Sequence, residues 1–351
     1  MYYKIENICD ITSSKRIFAN EYTNNGVPFY RGKEIIELSQ AKIVSTPLFI
    51  SNKRFDEIKN HYGIPKKNDI LMTAVGTLGI PYLVKEHNFY FKDGNLMWFK
   101  NFKYICSSNY FYYYLQSEFL HNILLSKSIG STQKAITIDT VKNIYLQIHD
   151  KEMQQHIVNT IGSIDDLIEK YTNINNKLSI ISELIINKAL NNCYKIIKLK
   201  DIAIVKTGKA TKKLQEGLYK IIGANGCLGY TNEFNQSGKA IITGRVGTIG
   251  TFAQINEDVW CSDNTLIINS RYFNYLYYFL KINFDSNSLN RGSTQPLITQ
   301  TDLLNYEIKI PNNLEIIENK LVNLYSVIEK NKFKINYLIN IKQKYLNKFF
   351  K

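Results

Sequence analysis

The segment of this sequence whose residue types best suit chemistry is Tyr30-Arg31-Gly32-Lys33. It places an aromatic ring, a forked hydrogen-bond donor and an ammonium group around a glycine that permits close approach of the backbone. An arginine can form two hydrogen bonds with a guanine, and a lysine can neutralise a phosphate. We therefore predict that Tyr30, Arg31 and Lys33 contact DNA.

A second candidate segment occurs twice, once as Gly130-Ser-Thr-Gln-Lys-Ala-Ile136 and once as Gly292-Ser-Thr-Gln-Pro-Leu-Ile298. Glutamine can form two hydrogen bonds with adenine, and small hydroxyl groups can bind phosphate. A single copy would be typical of an ordinary polar turn. Two copies favour a role, either in touching DNA or in shaping a loop that faces it. The residues predicted here are Ser131, Thr132, Gln133, Lys134, Ser293, Thr294 and Gln295.

A third pair of segments shares the residues Val-Gly-Thr. The first half of the chain has Asp69-Ile-Leu-Met-Thr-Ala-Val-Gly-Thr-Leu-Gly79, and the second has Ala240-Ile-Ile-Thr-Gly-Arg-Val-Gly-Thr-Ile-Gly250. The spaced glycines indicate tight turns between strands. Arg245 stands where the first copy has Ala74. Two domains that recognise different DNA sequences would show such a difference, and so would neutral drift at a surface position. The further predicted DNA contacts are Lys15, Arg16, Thr77, Lys209, Asn225, Arg245 and Thr248.

Signatures of several enzyme classes are missing from the sequence. Thr207-Gly208-Lys209 lacks the earlier glycine of a phosphate-binding loop, and no Gly-x-Gly-x-x-Gly segment marks a cofactor cradle. The Asn/Asp-Pro-Pro-aromatic motif of an adenine methyltransferase is missing too. The five histidines are isolated, and the five cysteines form neither a CxxC pair nor a Cys/His cluster. We therefore expect no catalytic residue, metal site or cofactor on this chain.

The composition is that of a folded protein with an anionic partner. With 351 residues, 44% of them hydrophobic, the chain is long and apolar enough for two domains with buried cores. A net charge of +14 favours a partner such as nucleic acid. The N-terminus lacks the pattern of a signal peptide, and no uncharged apolar run reaches the length of a membrane span. A cytoplasmic location is therefore expected.

Four segments of the chain would position the candidate residues. Residues 1–150 and 193–312 mix short alternating apolar runs with turn residues, so each is predicted to be an α+β domain of many short strands. Residues 151–192 and 313–351 carry apolar residues at steps of three and four, and they are predicted to be long helices. The two halves of the chain are thus similar but not identical.

The two long segments match each other under a constant shift in residue number. A helix with such a long apolar stripe must bury it. The natural partner is the other helix, in a coiled coil within the same molecule, and docking of each stripe onto its own domain is the alternative. The residues predicted to pair are Ile157, Ile161, Ile164, Ile168, Leu178, Ile181 and Ile185 in the first helix and Ile317, Leu321, Leu324, Ile328, Leu338, Ile341 and Tyr345 in the second.

Aromatic clusters precede both Gly-Ser-Thr-Gln segments. A helix is expected near residues 110–125, and it contains the tyrosines at 112–114. The aromatic residues at 277–279 lie on a second predicted helix. These rings could stack on nucleic acid, but aromatic residues at helical spacing usually form a packing face. We therefore predict that both clusters pack against the sheets of their domains.

The ordered, duplicated set of motifs resembles the specificity subunit of type I restriction-modification systems. The resemblance covers essentially the whole chain. It rests on the layout, in which a Gly-Ser-Thr-Gln segment closes each domain and a long helix follows it. It also rests on strings similar to those of the target recognition domains of that family, namely Pro28-Phe-Tyr-Arg-Gly-Lys33, Asp69 to Gly79, Gly223-Ala-Asn-Gly226 and Trp260-Cys-Ser-Asp263.

This resemblance implies a fold and a function. The fold would be α+β, with two similar target recognition domains, each followed by a long helix, and with the helices paired as an antiparallel intramolecular coiled coil of pseudo-two-fold symmetry. Each domain would read one half of a split DNA target. The helices would set the spacing and dock two methyltransferase subunits, which bind S-adenosylmethionine and methylate adenine at N6. A translocase-nuclease subunit would complete the complex, with ATP and Mg on the partners only.

Three other interpretations of the sequence stay open. The chain could be an orphan or decoy recognition subunit that retargets, or competes for, the methyltransferase of another system. It could be a stand-alone DNA modification or cleavage enzyme with a divergent active site. It could also be a general RNA-binding protein that uses its tyrosines and lysines, in which case binding would be indifferent to DNA sequence.

Overall fold

The computed structural model describes residues 1–42, 44–85, 88–130, 133–191, 194–211, 213–214, 216–246, 249–286 and 297–351. They form two units. Unit 1 consists of Met1–Asn173 and Asn331–Lys351, and unit 2 consists of Ile174–Lys330. Each unit has its own sheets and its own buried core, and each includes a part of both long helices.

Most elements of unit 1 are short. In chain order they are β1 (Tyr2–Lys4), β2 (Asp10–Thr12), β3 (Tyr22–Thr23), β4 (Val27–Tyr30), α1 (Gly32–Ser39), β5 (Leu48–Ile50), α2 (Asn52–His61), β6 (Ile70–Thr73), β7 (Pro81–Leu83), β8 (Tyr90–Phe91), β9 (Leu96–Lys100), α3 (Ser108–Leu115), α4 (Glu118–Ser126), α5 (Ile138–Lys142) and β10 (Tyr145–Gln147). The long helix α6 (Lys151–Leu190) follows, and its first part belongs to unit 1.

The centre of unit 1 is a four-stranded antiparallel sheet in the order β2-β9-β6-β7. Alternate side chains face opposite ways and both faces are covered, so Ile70, Leu71 and Met72 are all buried. One face packs against α3, α4 and the long helices. The other packs against a second sheet, β3-β5-β4-β8, in which β4 and β8 run parallel. Strands β1 and β10 form a short antiparallel pair.

Unit 2 repeats this plan. Its elements are the rest of α6, β11 (Tyr194–Lys198), β12 (Ala203–Thr207), β13 (Tyr219–Gly223), β14 (Gly226–Thr231), β15 (Lys239–Gly244), β16 (Phe252–Asn256), β17 (Val259–Cys261), β18 (Thr265–Ser270), α7 (Phe273–Asn283), α8 (Gln300–Leu304), β19 (Glu307–Pro311) and the first part of the long helix α9 (Leu314–Phe349).

The central sheets of the two units have the same strand order, whereas in the described residues the smaller sheet of unit 2 has three strands and that of unit 1 has four. The central sheet has the order β12-β18-β15-β16, which corresponds strand by strand to β2-β9-β6-β7. Ile241 faces α7, and Ile242 faces the smaller sheet β14-β13-β17, in which β13 and β17 run parallel. Strands β11 and β19 pair as β1 and β10 do. The predicted α+β fold with two similar domains is confirmed.

Two expectations about the shorter helices have different outcomes. The single helix expected near residues 110–125 is two helices, α3 and α4. Ser117 interrupts it, because its Oγ accepts a hydrogen bond from the N–H of Leu120 (3.2 Å) and starts a new helix. The packing role of the aromatic clusters is confirmed, because Tyr113, Tyr114, Tyr278 and Phe279 are all buried.

The long helices pair in opposite directions within each unit. In unit 1, the Nζ of Lys342 on α9 donates to Oδ1 of Asp165 on α6 (2.6 Å), and Lys334 lies over the ring of Tyr171. Residue numbers thus fall along α9 as they rise along α6. In unit 2, Ile186 of α6 belongs to the same core as Ile317 of α9. The predicted antiparallel helix pair within one chain is confirmed.

The residues predicted to line this pair differ in burial. Ile157, Ile161, Ile164, Ile317, Leu321 and Ile328 are buried, and Ile168, Leu178, Ile185, Leu324, Leu338, Ile341 and Tyr345 are half-buried. Ile181 is instead 44% exposed, which contradicts its predicted place. A helix has 3.6 residues per turn, so a stripe drawn at steps of three and four drifts around it. Ser182 and Ile186 are the buried residues in that turn.

Among the helices in the described ranges, none combines the length and the apolar character that a membrane span requires.

Candidate nucleic-acid interface

Two of the repeated motifs come together at one edge of the central sheet of unit 1, namely the edge at which β6 ends and β9 begins. After β6, the N–H of Ala74 donates to the carbonyl of Asn95 (2.8 Å), and the carbonyl of Ala74 accepts from the N–H of Ile136 (3.0 Å). The N–H of Gly76 donates to the carbonyl of Lys134 (2.9 Å). The Val-Gly-Thr segment therefore lies between the turn before β9 and the end of the Gly-Ser-Thr-Gln segment.

Two of these hydrogen bonds recur in unit 2. The N–H of Arg245 donates to the carbonyl of Asn264 (2.8 Å), and the carbonyl of Arg245 accepts from the N–H of Ile298 (3.0 Å). Val246 and Leu297 form an isolated antiparallel bridge, as Val75 and Ala135 do in unit 1. The two repeated motifs are thus structural partners in both units, which explains why the sequence repeats them together.

The start of each domain reaches the same edge. In unit 1 the N–H of Lys15 donates to the hydroxyl of Tyr90 (2.7 Å), and Nε of Arg16 donates to Oδ2 of Asp93 (2.7 Å). In unit 2 the N–H of Lys209 donates to the carbonyl of Cys261 (3.0 Å). A Cβ on the preceding Gly208 would lie 2.1 Å from the carbonyl oxygen of Ser262, so only glycine fits there.

The parallel strands of the smaller sheets also end at this edge. At the end of β4, the carbonyl of Tyr30 accepts from the N–H of Lys92 (2.9 Å), and near the end of β13 the carbonyl of Ile222 accepts from the N–H of Ser262 (2.9 Å). From this common position the chains continue differently. Unit 1 enters helix α1, whereas unit 2 makes a hairpin between β13 and β14 with Asn225 in its turn.

Most predicted contacts at these edges are accessible. The exposed ones are Lys15, Arg16, Lys33, Thr77, Gln133, Lys134, Lys209 and Asn225, and Arg245 is half-buried. The amide Nε2 of Gln133 lies 3.5 Å from the position that a Cβ on Gly76 would occupy, so it covers the Val-Gly-Thr turn. The other predicted contacts, Ser131, Thr132, Thr248, Ser293, Thr294 and Gln295, lie outside the described residues.

Tyr30 is not a surface residue, in contrast to the prediction. Only 8% of it is exposed, and its ring packs at 5.0 Å from that of Phe89 in the core between the two sheets. Burial and the nearby carboxylate of Glu34 raise the pKa of Tyr30. Its ring therefore stabilises the domain instead of stacking on DNA.

Arg31 is at the edge, but its side chain is engaged. Its Nε donates to Oε2 of Glu34 (3.1 Å), and its Nη2 donates to Oε1 of the same carboxylate (2.6 Å). Burial opposes ionisation of Glu34. The hydrogen bonds from Arg31 and Thr46 outweigh it and hold the pKa of Glu34 below its ordinary value. Sequence reasoning missed Glu34, although the spacing Arg-x-x-Glu after a strand could have indicated it.

The described residues offer little for catalysis. They contain no group of three His, Cys, Asp or Glu side chains arranged to hold a metal ion. Burial raises the pKa of the Cys106 and Cys261 thiols to about 12 and that of Cys9 also upward. Because the thiolate is the reactive form, these three cysteines are poor nucleophiles.

Comparison with known proteins gives matches along most of the chain. The family model described as the type I restriction modification DNA specificity domain matches residues 1–179 and 191–340. A putative type I restriction enzyme specificity subunit of Haemophilus influenzae is 28% identical over 162 residues, which are 45% of this chain and 38% of that protein. This chain thus spans well under half of that relative.

A solved structure shares the fold. The type I restriction-modification system S subunit from M. genitalium is 18% identical and aligns with a TM-score of 0.55 over 100% of this chain and 96% of that one. At this level of identity the similarity shows a shared fold. The family match confirms the predicted family of type I specificity subunits. The chain belongs to the family of type I restriction modification DNA specificity domains, as a specificity subunit with two such domains.

Proposed function

We propose that this chain reads a split DNA target, with one half of the target bound by each unit. The recognition domains are residues 1–150 and 193–312, and the helices are residues 151–192 and 313–351. One observation carries the proposal. The same edge is built twice by the same backbone hydrogen bonds, at Ala74 and at Arg245, but it presents different side chains. Two similar edges with different donors suit two different short sequences.

Charge supports DNA as the ligand. The chain has a net charge of +14. Exposed lysines stand at both edges, with Lys15 and Lys134 in unit 1 and Lys209 in unit 2. Phosphate contacts of this kind position a protein on the duplex, and contacts with base edges then specify the sequence. The affinity should therefore fall steeply with salt, because binding releases counterions.

The helices are proposed to recruit N6-adenine methyltransferase subunits. In unit 2, α6 leaves Ile180 and Leu184 more than half exposed. In unit 1, α9 leaves Phe333 75% exposed and Tyr337 61% exposed. Apolar side chains of this size on a helix favour a protein partner. The methyltransferase would bind S-adenosylmethionine, and a translocase-nuclease subunit would bring ATP and Mg.

The decisive experiment is a genome-wide map of N6-methyladenine. The gene is expressed with its neighbouring genes in a host without adenine methylation, and a matched strain carries the same genes with this chain truncated early. We expect a split motif, with two short defined halves around a fixed gap, only in the strain with the intact chain. A continuous motif would contradict the assignment of one half to each unit.

The alternatives predict other results. An orphan or decoy subunit would produce no new motif with its own neighbours, but it would change or suppress the motif of a second system in the same cell. A stand-alone enzyme would methylate or cleave DNA as a purified single chain. A general RNA-binding protein would bind duplexes of any sequence with equal affinity. Each result would replace the proposal with the corresponding alternative.

A further inference from the structure

A fully buried carboxylate lies behind the recognition edge of unit 1. The side chain of Glu34 is 0% exposed, whereas that of Arg31, to which it is bound, is 35% exposed. A buried carboxylate is costly unless it is paired and hydrogen-bonded. Here it is both, and its partner Arg31 directly follows β4, at the point where the two units begin to differ.

The contacts of Glu34 define the orientation of Arg31. Its two oxygens accept from Nε and Nη2 of Arg31, at 3.1 and 2.6 Å, and Oε2 also accepts from the backbone N–H of Arg31 (2.8 Å). The hydroxyl of Thr46 donates to Oε1 of Glu34 (2.8 Å) and accepts from Nη2 of Arg31 (3.2 Å). The inner side of the guanidinium is thus bound at several points.

This arrangement leaves one nitrogen of the guanidinium for a ligand. Within the described part of the chain, Nη1 of Arg31 has no hydrogen-bond partner, and it carries two N–H donors. A planar guanidinium whose inner side is fixed loses little further freedom on binding. An acceptor-rich base edge, such as N7 and O6 of guanine in the major groove, matches such a donor.

We infer that Glu34 and Thr46 are positioning residues that hold Arg31 in the orientation in which it reads one base pair, a guanine pair, in the half-target of unit 1. The inference rests on the proposed function. It assigns unit 1 a specificity determinant that unit 2 lacks, because the hairpin of unit 2 has Asn225 in this region.

The test measures base preference in the complete complex. The chain is combined with its methyltransferase partners, and methylation is measured on duplexes in which each base pair of the half-target of unit 1 is replaced in turn. Three variants are compared with the wild type, namely Arg31→Lys, Glu34→Gln and Thr46→Val. Arg31→Lys keeps a positive charge beside Glu34 but removes the forked donor. Thr46→Val removes only the bridging hydroxyl.

Glu37→Gln is the matched control. Glu37 lies on the same helix, and its carboxylate accepts hydrogen bonds from the backbone and side chain of Ser45, next to Thr46. It is near enough to act on Arg31 through its charge, but it holds the guanidinium by no hydrogen bond among the described residues. Arg31→Lys should lower the preference at one base pair by about tenfold. Glu34→Gln and Thr46→Val should lower the preference at that same pair by smaller factors. Glu37→Gln should leave every preference unchanged.

Two results would overturn the inference. If Arg31→Lys leaves all base preferences as they are, the ion pair is purely structural. If it lowers methylation equally on every duplex, Arg31 contacts a phosphate. Thr46→Val keeps the charges of both Arg31 and Glu34. It therefore still tests whether Arg31 is positioned for base reading if the Glu34→Gln variant does not fold. Failure of the proposed function is distinguishable, because the wild-type complex would then give no split motif at all.

Discussion

The two units share a frame and differ at the ends of two strands. In both, β6 or β15 leads toward the Val-Gly-Thr segment. The residue just before that segment, Ala74 or Arg245, is held on both sides by the same backbone hydrogen bonds. In both, a parallel strand of the smaller sheet ends at the same edge. After that strand unit 1 has a helix with Arg31, and unit 2 has a hairpin with Asn225.

This difference shows how the side chains presented to a ligand can vary while the fold is kept. The contacts that join the motifs are made by backbone N–H and carbonyl groups, which do not depend on the side chain at positions 74 and 245. Each face of the central sheet is covered independently of that edge. The side chains at the edge can therefore change while the core that supports them stays intact.

The strongest test of the comparison is an exchange of one unit's recognition domain. Residues 1–150 are replaced by the corresponding domain of another specificity subunit, and the methylated motif is mapped again. We expect one half of the motif to change completely and the other to stay, because the frame of unit 2 is untouched. The reciprocal exchange of residues 193–312 is the control and should change the other half. A change in both halves after either exchange would disprove independent reading.

The sequence allowed the duplicated parts of this fold to be predicted. The α+β domains, the long helices and their pairing follow from patterns that act over many residues, such as the shared stripe from Ile157 to Ile185 and from Ile317 to Tyr345. Repetition also identified the Val-Gly-Thr and Gly-Ser-Thr-Gln segments. The structure adds that backbone hydrogen bonds join residues beside them, Gly76 with Lys134 in unit 1 and Arg245 with Ile298 in unit 2, which no spacing in the sequence indicates.

Single side chains were harder to place, for physical reasons. Tyr30 was expected at the surface, but both faces of β4 are covered at its end, so Phe29 and Tyr30 are buried in two different clusters. The elements that cover the second face come from distant parts of the chain, which a four-residue strand does not reveal. Ser117 splits an expected helix because one hydroxyl caps a new first turn. Ile181 is exposed because a straight stripe drifts on a long helix. Each outcome depends on a local geometry that neighbouring residues decide.

A smaller effect is expected where each domain is attached to its long helix. In unit 2 the buried carboxylate of Glu318 on α9 accepts from the backbone N–H of Tyr275 (2.8 Å) and from Nδ2 of Asn274 (2.9 Å), at the start of α7. In unit 1 the corresponding contact uses a neutral amide, because Oε1 of Gln154 accepts from the N–H of Ser107 (3.1 Å) before α3. The two attachments differ in charge.

Glu318→Gln should therefore destabilise unit 2. The amide keeps one acceptor oxygen but turns an NH2 group toward N–H donors, so about 2–3 kcal/mol of unfolding free energy should be lost. Denaturant unfolding of the full chain measures this loss.

Glu315→Gln is the matched control. Glu315 also contacts the start of α7, through the hydroxyl of Tyr272 (2.7 Å), but its side chain is 69% exposed. The Glu315→Gln variant should lose no more than about 0.5 kcal/mol of unfolding free energy. Equal losses would show that burial of Glu318 is irrelevant.

The smallest expected effect concerns Arg245, which occupies the position held by Ala74 in unit 1. Its Nε is buried and has no hydrogen-bond partner in the described part of the chain, so truncation breaks no hydrogen bond of this atom among those residues. Arg245→Ala should leave the fold stable and lower the DNA affinity by about three- to tenfold, as the loss of one phosphate contact would. The slope of the logarithm of affinity against that of salt should fall by about 1.

Lys239→Ala is the control for Arg245, because Lys239 is an exposed cation at the opposite end of the same strand, β15. It should change neither the affinity nor the salt slope. If the two variants behave alike, Arg245 does not face DNA, and the difference in residue type between positions 74 and 245 is neutral sequence drift. If Arg245→Ala instead relaxes one base pair in the second half of the motif, Arg245 reads sequence. The two edges would then each have a reading arginine, at different points of the same frame.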